Sequence, residues 1–323
     1  MSSVSVVIPC YNAIEFVDRA IDSVRRQTLQ DWEIVAVDDC SSDGTYDYLQ
    51  KLAVREPRIR VYATEQNGGP SAARNLAIEQ SRGDWIAVLD ADDAFREDRL
   101  EHMTRAASDV GAQMIFDNLV YYDSDAEVET GIASHDLGSS MLKPITLADL
   151  INGERPGTKL KLGFLKPIVR REFLNQHHLR YDTRVRLAED FDLYARILLA
   201  GGTAWLYGAA MYVYTTQVGH VSGVRSSATR TIYEPEVRVQ LFNRLIKDHQ
   251  AYIDEQDLRL LERGRKWQQF YTHAHDLGRH RREGNWSAFG LLAVRRPWAL
   301  LRFVTRSKYL RRIFVRHATA SGF

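Results

Sequence analysis

Trp85-Ile86-Ala87-Val88-Leu89-Asp90-Ala91-Asp92-Asp93 passes from five apolar residues directly into three carboxylates within four positions. An unbroken apolar run of this length predicts a buried strand, with Asp90–Asp93 at its carboxyl end. The chain before it follows the same pattern. Val4-Ser5-Val6-Val7-Ile8 stops at Pro9, Glu33–Val37 runs into Asp38-Asp39, and Ile59–Ala63 leads to Asn67-Gly68-Gly69-Pro70. Between these runs lie helical spacings: Phe16, Val17, Ala20, Ile21 and Val24, then Tyr48, Leu49 and Leu52, then Ala72, Ala73, Leu76 and Ala77. Asn12 and Glu15 have the spacing of a capping box for the first helix. A helix over Arg96–Ser108 and a strand over Met114–Tyr122 follow.

Alternating strands and helices with short connections predict an α/β fold with a doubly wound, Rossmann-like, mostly parallel sheet and flanking helices. Such sheets bind ligands at the carboxyl ends of their strands. That rule selects Pro9-Cys10-Tyr11-Asn12, Asp38-Asp39, the Asn67–Pro70 loop and Asp90–Asp93, so the polar residues of this half converge on one edge. Periodicity is weak over 123–160, where loops and a short helix at Leu147–Ile151 are expected. Leu187–Leu199 is helical and ends at Gly201-Gly202, as helices often do. Ala204–Tyr214 suits a final strand or two, and after Glu234 the pattern is helical.

The 323 residues accommodate one catalytic domain and an appendage. The expected division is a catalytic domain over 1–233, with a nucleotide-binding half (1–122) and an acceptor half (123–233), followed by a helical C-terminal extension (234–323). Hydrophobic residues at 45% and charged residues at 26% are those of a globular protein. The net charge of +1 conceals an asymmetry. From Leu261 onward there are 14 Lys and Arg against 3 Asp and Glu, and before it 29 against 39. Cys10 and Cys40 make no disulfide framework and are expected reduced. The first apolar run lacks a basic flank and is cut by Pro9, so it is not a signal peptide. No segment approaches the roughly 20 apolar residues of a membrane span.

Asp90 and Asp92 offer hard oxygen ligands of the kind that couple Mg²⁺ or Mn²⁺ to a substrate's phosphates. Asp93 is expected to cap the next helix. Asp38 points away from Asp39 and is expected to be structural. Arg74 follows the Gly-Gly-Pro loop and suits a nucleotide or its diphosphate. Glu189-Asp190 opens a helix, and Asp190 could take a proton from an attacking hydroxyl. A dinucleotide-binding turn is excluded because Pro9-Cys10-Tyr11-Asn12 stands where glycines are required. Asp90–Ala94 departs at Ala94 from the nucleophile motif of haloacid-dehalogenase-like phosphatases.

Taken in order, Val-Ser-Val-Val-Ile-Pro-Cys-Tyr-Asn at 4–12, Val-Asp-Asp-Cys-Ser-Ser-Asp-Gly-Thr at 37–45, Asn-Gly-Gly-Pro-Ser-Ala-Ala-Arg-Asn at 67–75, Leu-Asp-Ala-Asp-Asp at 89–93 and Glu-Asp at 189–190 resemble the family 2 glycosyltransferases of the GT-A (nucleotide-diphosphosugar-transferase) fold. The pattern is most like bacterial exopolysaccharide enzymes of the succinoglycan type. The resemblance implies that Tyr11 and Asp39 contact the nucleobase, and that Pro9, Gly69, Arg74, Asp90 and Ala91 complete the nucleotide-sugar site. It implies Asp92 as ligand to Mn²⁺ or Mg²⁺, His220 as a second metal or diphosphate contact, and Asp190 as catalytic base. The implied reaction is inverting transfer of a single hexose from a UDP-hexose such as UDP-glucose to a lipid-linked or oligosaccharide acceptor, the acceptor lying along 163–186 and 205–222. The Gln-x-x-Arg-Trp motif of processive polymerases is absent. The alternative is a catalytically degenerate scaffold of the same fold in a membrane polysaccharide-assembly complex.

Residues 295–316 interleave eight Arg and Lys with Trp298, Leu301, Phe303, Leu310, Ile313 and Phe314. Such a segment suits an interfacial helix on anionic lipid, the alternative being a basic helix packed on the catalytic domain. The expected location is cytoplasmic and peripheral, on the inner face of the membrane, without nucleic-acid binding.

Overall fold

The computed structural model describes residues 3–155, 158, 160–216, 235–250 and 253–306. The chain divides into two compact units, 1–231 and 232–323.

In the first unit the strands are β1 (Val4–Cys10), β2 (Trp32–Asp38), β3 (Ile59–Ala63), β4 (Trp85–Val88), β5 (Ala94–Phe95), β6 (Met114–Asp123), β7 (Val128–Ile132), β8 (Leu142–Ile145), β9 (Ile168–Arg170) and β10 (Ala204–Thr215). The helices are α1 (Val17–Arg25), α2 (Thr45–Arg55), α3 (Pro70–Gln80), α4 (Arg99–Asp109), α5 (Leu147–Gly153), α6 (Arg171–Gln176) and α7 (Glu189–Leu199). The sheet order is β3-β2-β1-β4-β9-β6-β10-β5, with β7 on β6 and β8 on β10. β3, β2, β1 and β4 are parallel throughout. The residues of β1, β2 and β4 are almost all buried on both faces, which is why these strands are apolar runs and not alternations, whereas the edge strand β3 buries only Ile59. The direction of strand addition reverses between β1 and β4, and the ends of these strands therefore open onto a ligand crevice.

The second half is a mixed sheet. β9 runs antiparallel to both β4 and β6 and so joins the two halves, while β10 runs parallel to β6. The weakly periodic region holds two strands as well as the short helix. β7 forms a hairpin with β6, and β8 adds antiparallel to the distant β10; both hold mostly exposed or half-buried residues, so they carry little of the apolar signal by which strands are found.

Two local expectations are corrected. Asn12 does not cap α1. Its backbone is left-handed (φ 48°), its N–H donates to Ser41 Oγ, and its Oδ1 accepts from the Ser42 N–H, so it braces the turn after β2. Asp93 does not cap α4, which starts only at Arg99. Its Oδ2 accepts from the Tyr212 hydroxyl at 2.7 Å and its Oδ1 from the Thr215 N–H at 2.8 Å, fastening the end of β4 to β10. Cys10 and Cys40 are both free thiols.

The second unit contains α8 (Pro235–His249), α9 (Glu255–Arg282), α10 (Trp286–Arg295) and α11 (Pro297–Arg306). α9 packs against the other three, burying Leu261, Tyr271 and Leu277. No helix among the described residues is long and apolar enough to cross a membrane.

Under the sheet, Arg99 and Asp117 form a fully buried bidentate pair with bonds of 2.9 and 2.8 Å. Burial works to neutralise Asp117, and Arg99 works against it. Asp117→Asn leaves a guanidinium buried without its counter-charge, and should destabilise the protein by about 3–5 kcal/mol. A denaturant midpoint unchanged from wild type would contradict this.

Candidate active site

Asp90, Arg74, Lys166 and Asp190 lie far apart in sequence, yet the topology gathers them into one buried cluster. α3 carries Arg74, the end of β4 carries Asp90, the segment entering β9 carries Lys166, and the first turn of α7 carries Asp190. Arg74 donates to Asp90 Oδ1 at 2.7 Å and to Glu189 Oε1 at 3.1 Å, and lies 3.6 Å from Asp190 Oδ1. Lys166 Nζ donates to Asp190 Oδ2 at 2.6 Å and lies 3.1 Å from Asp90 Oδ2. Each cation thus bridges the strand end and the helix start. The Tyr181 ring lies against the Arg74 guanidinium at 5.2 Å. Asn75 anchors Tyr181 by exchanging two backbone bonds of 2.8 Å with it.

Charge–charge interaction dominates burial in this cluster. Burial disfavours the charges of Arg74 and Lys166, but Asp90 and Asp190 outweigh it and raise both above their ordinary values. Burial likewise pushes Asp90 up, and Lys166 and Arg74 more than reverse it, leaving Asp90 ionised. Asp92 behaves oppositely. Burial, and then repulsion from Asp90, push it up to about 6. The hydrogen bonds Asp92 receives from Arg19 and Thr215 fall on its backbone carbonyl, not on its carboxylate. Asp93 is pushed up further, by burial and then by Asp92 and Asp90, but Tyr212 and Thr215 occupy its oxygens, whereas among the described residues no other bonds the Asp92 carboxylate. Among the described residues no group of three or more His, Cys, Asp or Glu is arranged to hold a metal ion, so Asp92 offers a single hard oxygen donor of the kind Mg²⁺ or Mn²⁺ couples to a substrate's phosphates. His220 lies outside the described residues.

The other expected residues sit around the same edge. Pro9 is the penultimate residue of β1, paired with Val37 of β2. Tyr11 follows with its ring 56% exposed, available to a ligand. Asp39 is buried, and its oxygens accept from Thr64 Oγ1 at 2.8 Å, Gly68 N–H at 3.0 Å and Gly69 N–H at 2.7 Å. These bonds fill three of the roughly four acceptor positions of a carboxylate. Asp39 thus shapes the glycine loop and has one position left. Asp38 Oδ2 accepts from the Ser41 N–H, and its buried Oδ1 has no hydrogen-bond partner among the described residues. Gly69 has φ 78° and ψ 175°, a region open essentially to glycine alone, and this bend aims its amide at Asp39 before Pro70 starts α3. Ala91 is buried between the two aspartates.

Asp190 Oδ1 is buried with no hydrogen bond of good geometry, while Lys166 fills Oδ2. Before it, Ala188 holds a left-handed backbone (φ 63°, ψ 34°), which turns the chain sharply into α7. Lys166, Tyr181, Asn75 and Arg19 carry no expected role from sequence. Lys166 stands beside Pro167 in a stretch without periodicity, and only its contacts reveal it.

The model of glycosyl transferase family 2 matches residues 5–152. The succinoglycan biosynthesis protein ExoU of Rhizobium meliloti (strain 1021) is 32% identical over 303 residues, covering 93% of this chain and 85% of ExoU. ExoO, a succinoglycan biosynthesis protein of the same organism, is 37% identical over 222 residues. That match covers 68% of this chain and 63% of ExoO, less than two thirds of that protein's length. Among solved structures, S. aureus TarS 1-349 in complex with UDP-GlcNAc shares the fold, with a TM-score of 0.61 and 20% identity over 86% of this chain and 72% of that one. The architecture is the GT-A fold, with a helical C-terminal region.

Proposed function

The chain belongs to glycosyl transferase family 2, and on that premise we propose that it is an inverting, metal-dependent hexosyltransferase of exopolysaccharide assembly. The observation that carries this reading is the division of labour in the buried cluster. Arg74 and Lys166 are engaged by Asp90, Glu189 and Asp190 Oδ2, while the Asp92 carboxylate takes no bond from another described residue and Asp190 Oδ1 takes none of good geometry. The names of ExoU and ExoO support the pathway, and the UDP-GlcNAc bound by TarS supports a UDP-hexose donor.

In the proposed reaction Asp190 Oδ1 accepts the proton of the acceptor hydroxyl. The oxygen forms a bond to the anomeric carbon as the bond from that carbon to the diphosphate oxygen breaks, and the nucleoside diphosphate leaves with the electron pair. An α-linked donor gives a β-linked product. Asp92 would hold Mn²⁺ or Mg²⁺, with His220 as a candidate second ligand. When bound, the ion would neutralise charge developing on the leaving diphosphate. Tyr11 would stack on the base, and the Asp39–Gly69 loop would frame the nucleotide. Thermal stabilisation by a panel of nucleotide sugars with Mn²⁺ tests the donor class. Stabilisation by none would favour the degenerate scaffold. Asp190→Asn should bind the donor as wild type does while turnover falls about 10²- to 10⁴-fold, and near-wild-type turnover would remove Asp190 as base.

The acceptor is proposed to be lipid-linked and the enzyme to work on the inner face of the membrane. α10 buries none of its ten residues although most are apolar. Its Trp286, Leu291 and Val294, with Trp298 and Leu301 of α11, are exposed around Arg295 and Arg296. Apolar side chains at this density beside arginines match an anionic bilayer surface. The rest of the basic tail, 307–316 included, lies outside the described residues. The protein should float with phosphatidylglycerol-containing vesicles and not with pure phosphatidylcholine, and Leu291→Glu with Val294→Glu should abolish flotation. Undiminished flotation of the double variant would exclude this face.

A further inference from the structure

We propose that Lys166 is a positioning residue that fixes the Asp190 carboxylate for proton abstraction and ties it to the donor-side carboxylate Asp90. This rests on the assignment of Asp190 as base. Three observations carry it.

The first is direct contact. The buried ammonium reaches Asp190 Oδ2 at 2.6 Å and Asp90 Oδ2 at 3.1 Å. A charge-assisted bond this short holds a carboxylate's rotation far more firmly than a neutral one. It also leaves Oδ1 the less engaged oxygen, because Oδ2 is occupied whereas Oδ1 has no hydrogen bond of good geometry, with Arg74 at 3.6 Å and the Tyr181 hydroxyl bearing on the carboxylate.

The second is that Lys166 is itself immobilised. Its carbonyl accepts from Arg99 at 2.5 Å, and Arg99 is locked by Asp117 with both residues fully buried. Pro167 restricts the backbone of Lys166 to extended conformations, and β9 begins immediately afterwards, paired with β4. A long flexible side chain is thus mounted on a rigid base. Arg74, by comparison, meets Asp190 only at 3.6 Å, outside hydrogen-bond reach, and cannot orient it alone.

The third is topology. β9 is the strand that joins the parallel half to the mixed half. Lys166 therefore spans the strand end that faces the donor and the helix start that faces the acceptor, and fixes their separation.

The charged and titratable groups around Asp190 are Arg74 from α3, Asp90 from the end of β4, Lys166 before β9, Tyr181 before α7, and Glu189 and Tyr194 on α7 itself. Removing Lys166 from this set leaves Asp190 with Arg74 as its nearby cation. Loss of a positive neighbour disfavours an ionised carboxylate in general, so the acid limb of turnover is expected to move to higher pH when this ammonium is removed. A purely structural lysine would lower the amount of active enzyme without moving that limb.

The test uses the full-length protein, the UDP-hexose that stabilises it most in the panel above, Mn²⁺, and octyl β-glucoside as acceptor, with UDP release as the signal. Lys166→Met should bind the donor within about fivefold of wild type. Its turnover should fall about 10²-fold, as small misplacements of reacting groups do, with the acid limb raised by about 1–3 pH units. Lys166→Arg, which keeps the charge but changes the geometry, should lose turnover with the acid limb unmoved, and serves if the Met variant does not fold. Wild-type turnover in either variant overturns the proposal, as does a turnover loss in Lys166→Met without movement of the limb. Donor affinity lost with turnover at saturation intact would instead assign Lys166 to the diphosphate. Asp190→Asn, run in parallel, separates the two claims. If it is inactive while Lys166→Met behaves as wild type, only the Lys166 proposal fails. If it is active, the base assignment fails first.

Discussion

Two buried cations, Arg74 and Lys166, and three carboxylates, the buried Asp190 and the partly exposed Asp90 and Glu189, share one space. The expense of desolvating such charges makes a buried ion pair a poor source of stability, since well-packed apolar residues often do as well. What the cluster supplies is geometry. Charged groups in a low dielectric interact strongly with whatever is left unpaired nearby, so its internal balance determines the character of its neighbours. Asp92 lies beside a carboxylate already committed elsewhere, and burial together with that neighbour disfavours its charge.

The sheet makes this arrangement possible. Parallel strands deliver Cys10, Asp38 and Asp90 to one edge, and the reversal of order beside β1 opens the crevice. β9 then enters antiparallel next to β4 and brings Lys166 to the same place. Tyr212 and Thr215 of β10 fasten Asp93 from the far side. The acidic motif is therefore braced on both flanks, with Asp90 turned to the cations and Asp93 to β10.

Much of this is legible in the sequence, for physical reasons. Strands buried on both faces must be apolar throughout, so β1, β2 and β4 are visible, and the polar residues that end them are conspicuous by contrast. Arg74 and Asp190 can be picked out because one follows a glycine loop and the other opens a helix. Partners are harder to see. That Asp39 holds Gly68 and Gly69, and that Asp93 serves β10 in place of a helix, are long-range contacts with no local spacing. Asn12 has a capping-box spacing, yet a left-handed backbone turns it to Ser41 and Ser42. Lys166 is illegible because nothing near it in sequence is periodic, and its meaning lies wholly in residues 76 and 24 positions away.

The central claim is that Asp92 is left to an external cation because its neighbours satisfy one another. Calorimetric titration of Asp92→Asn with the stabilising UDP-hexose, with and without Mn²⁺, addresses it directly. Wild type should bind the donor tightly only with the metal, and the variant should bind equally weakly in both conditions. Metal-dependent affinity retained in Asp92→Asn would contradict the account.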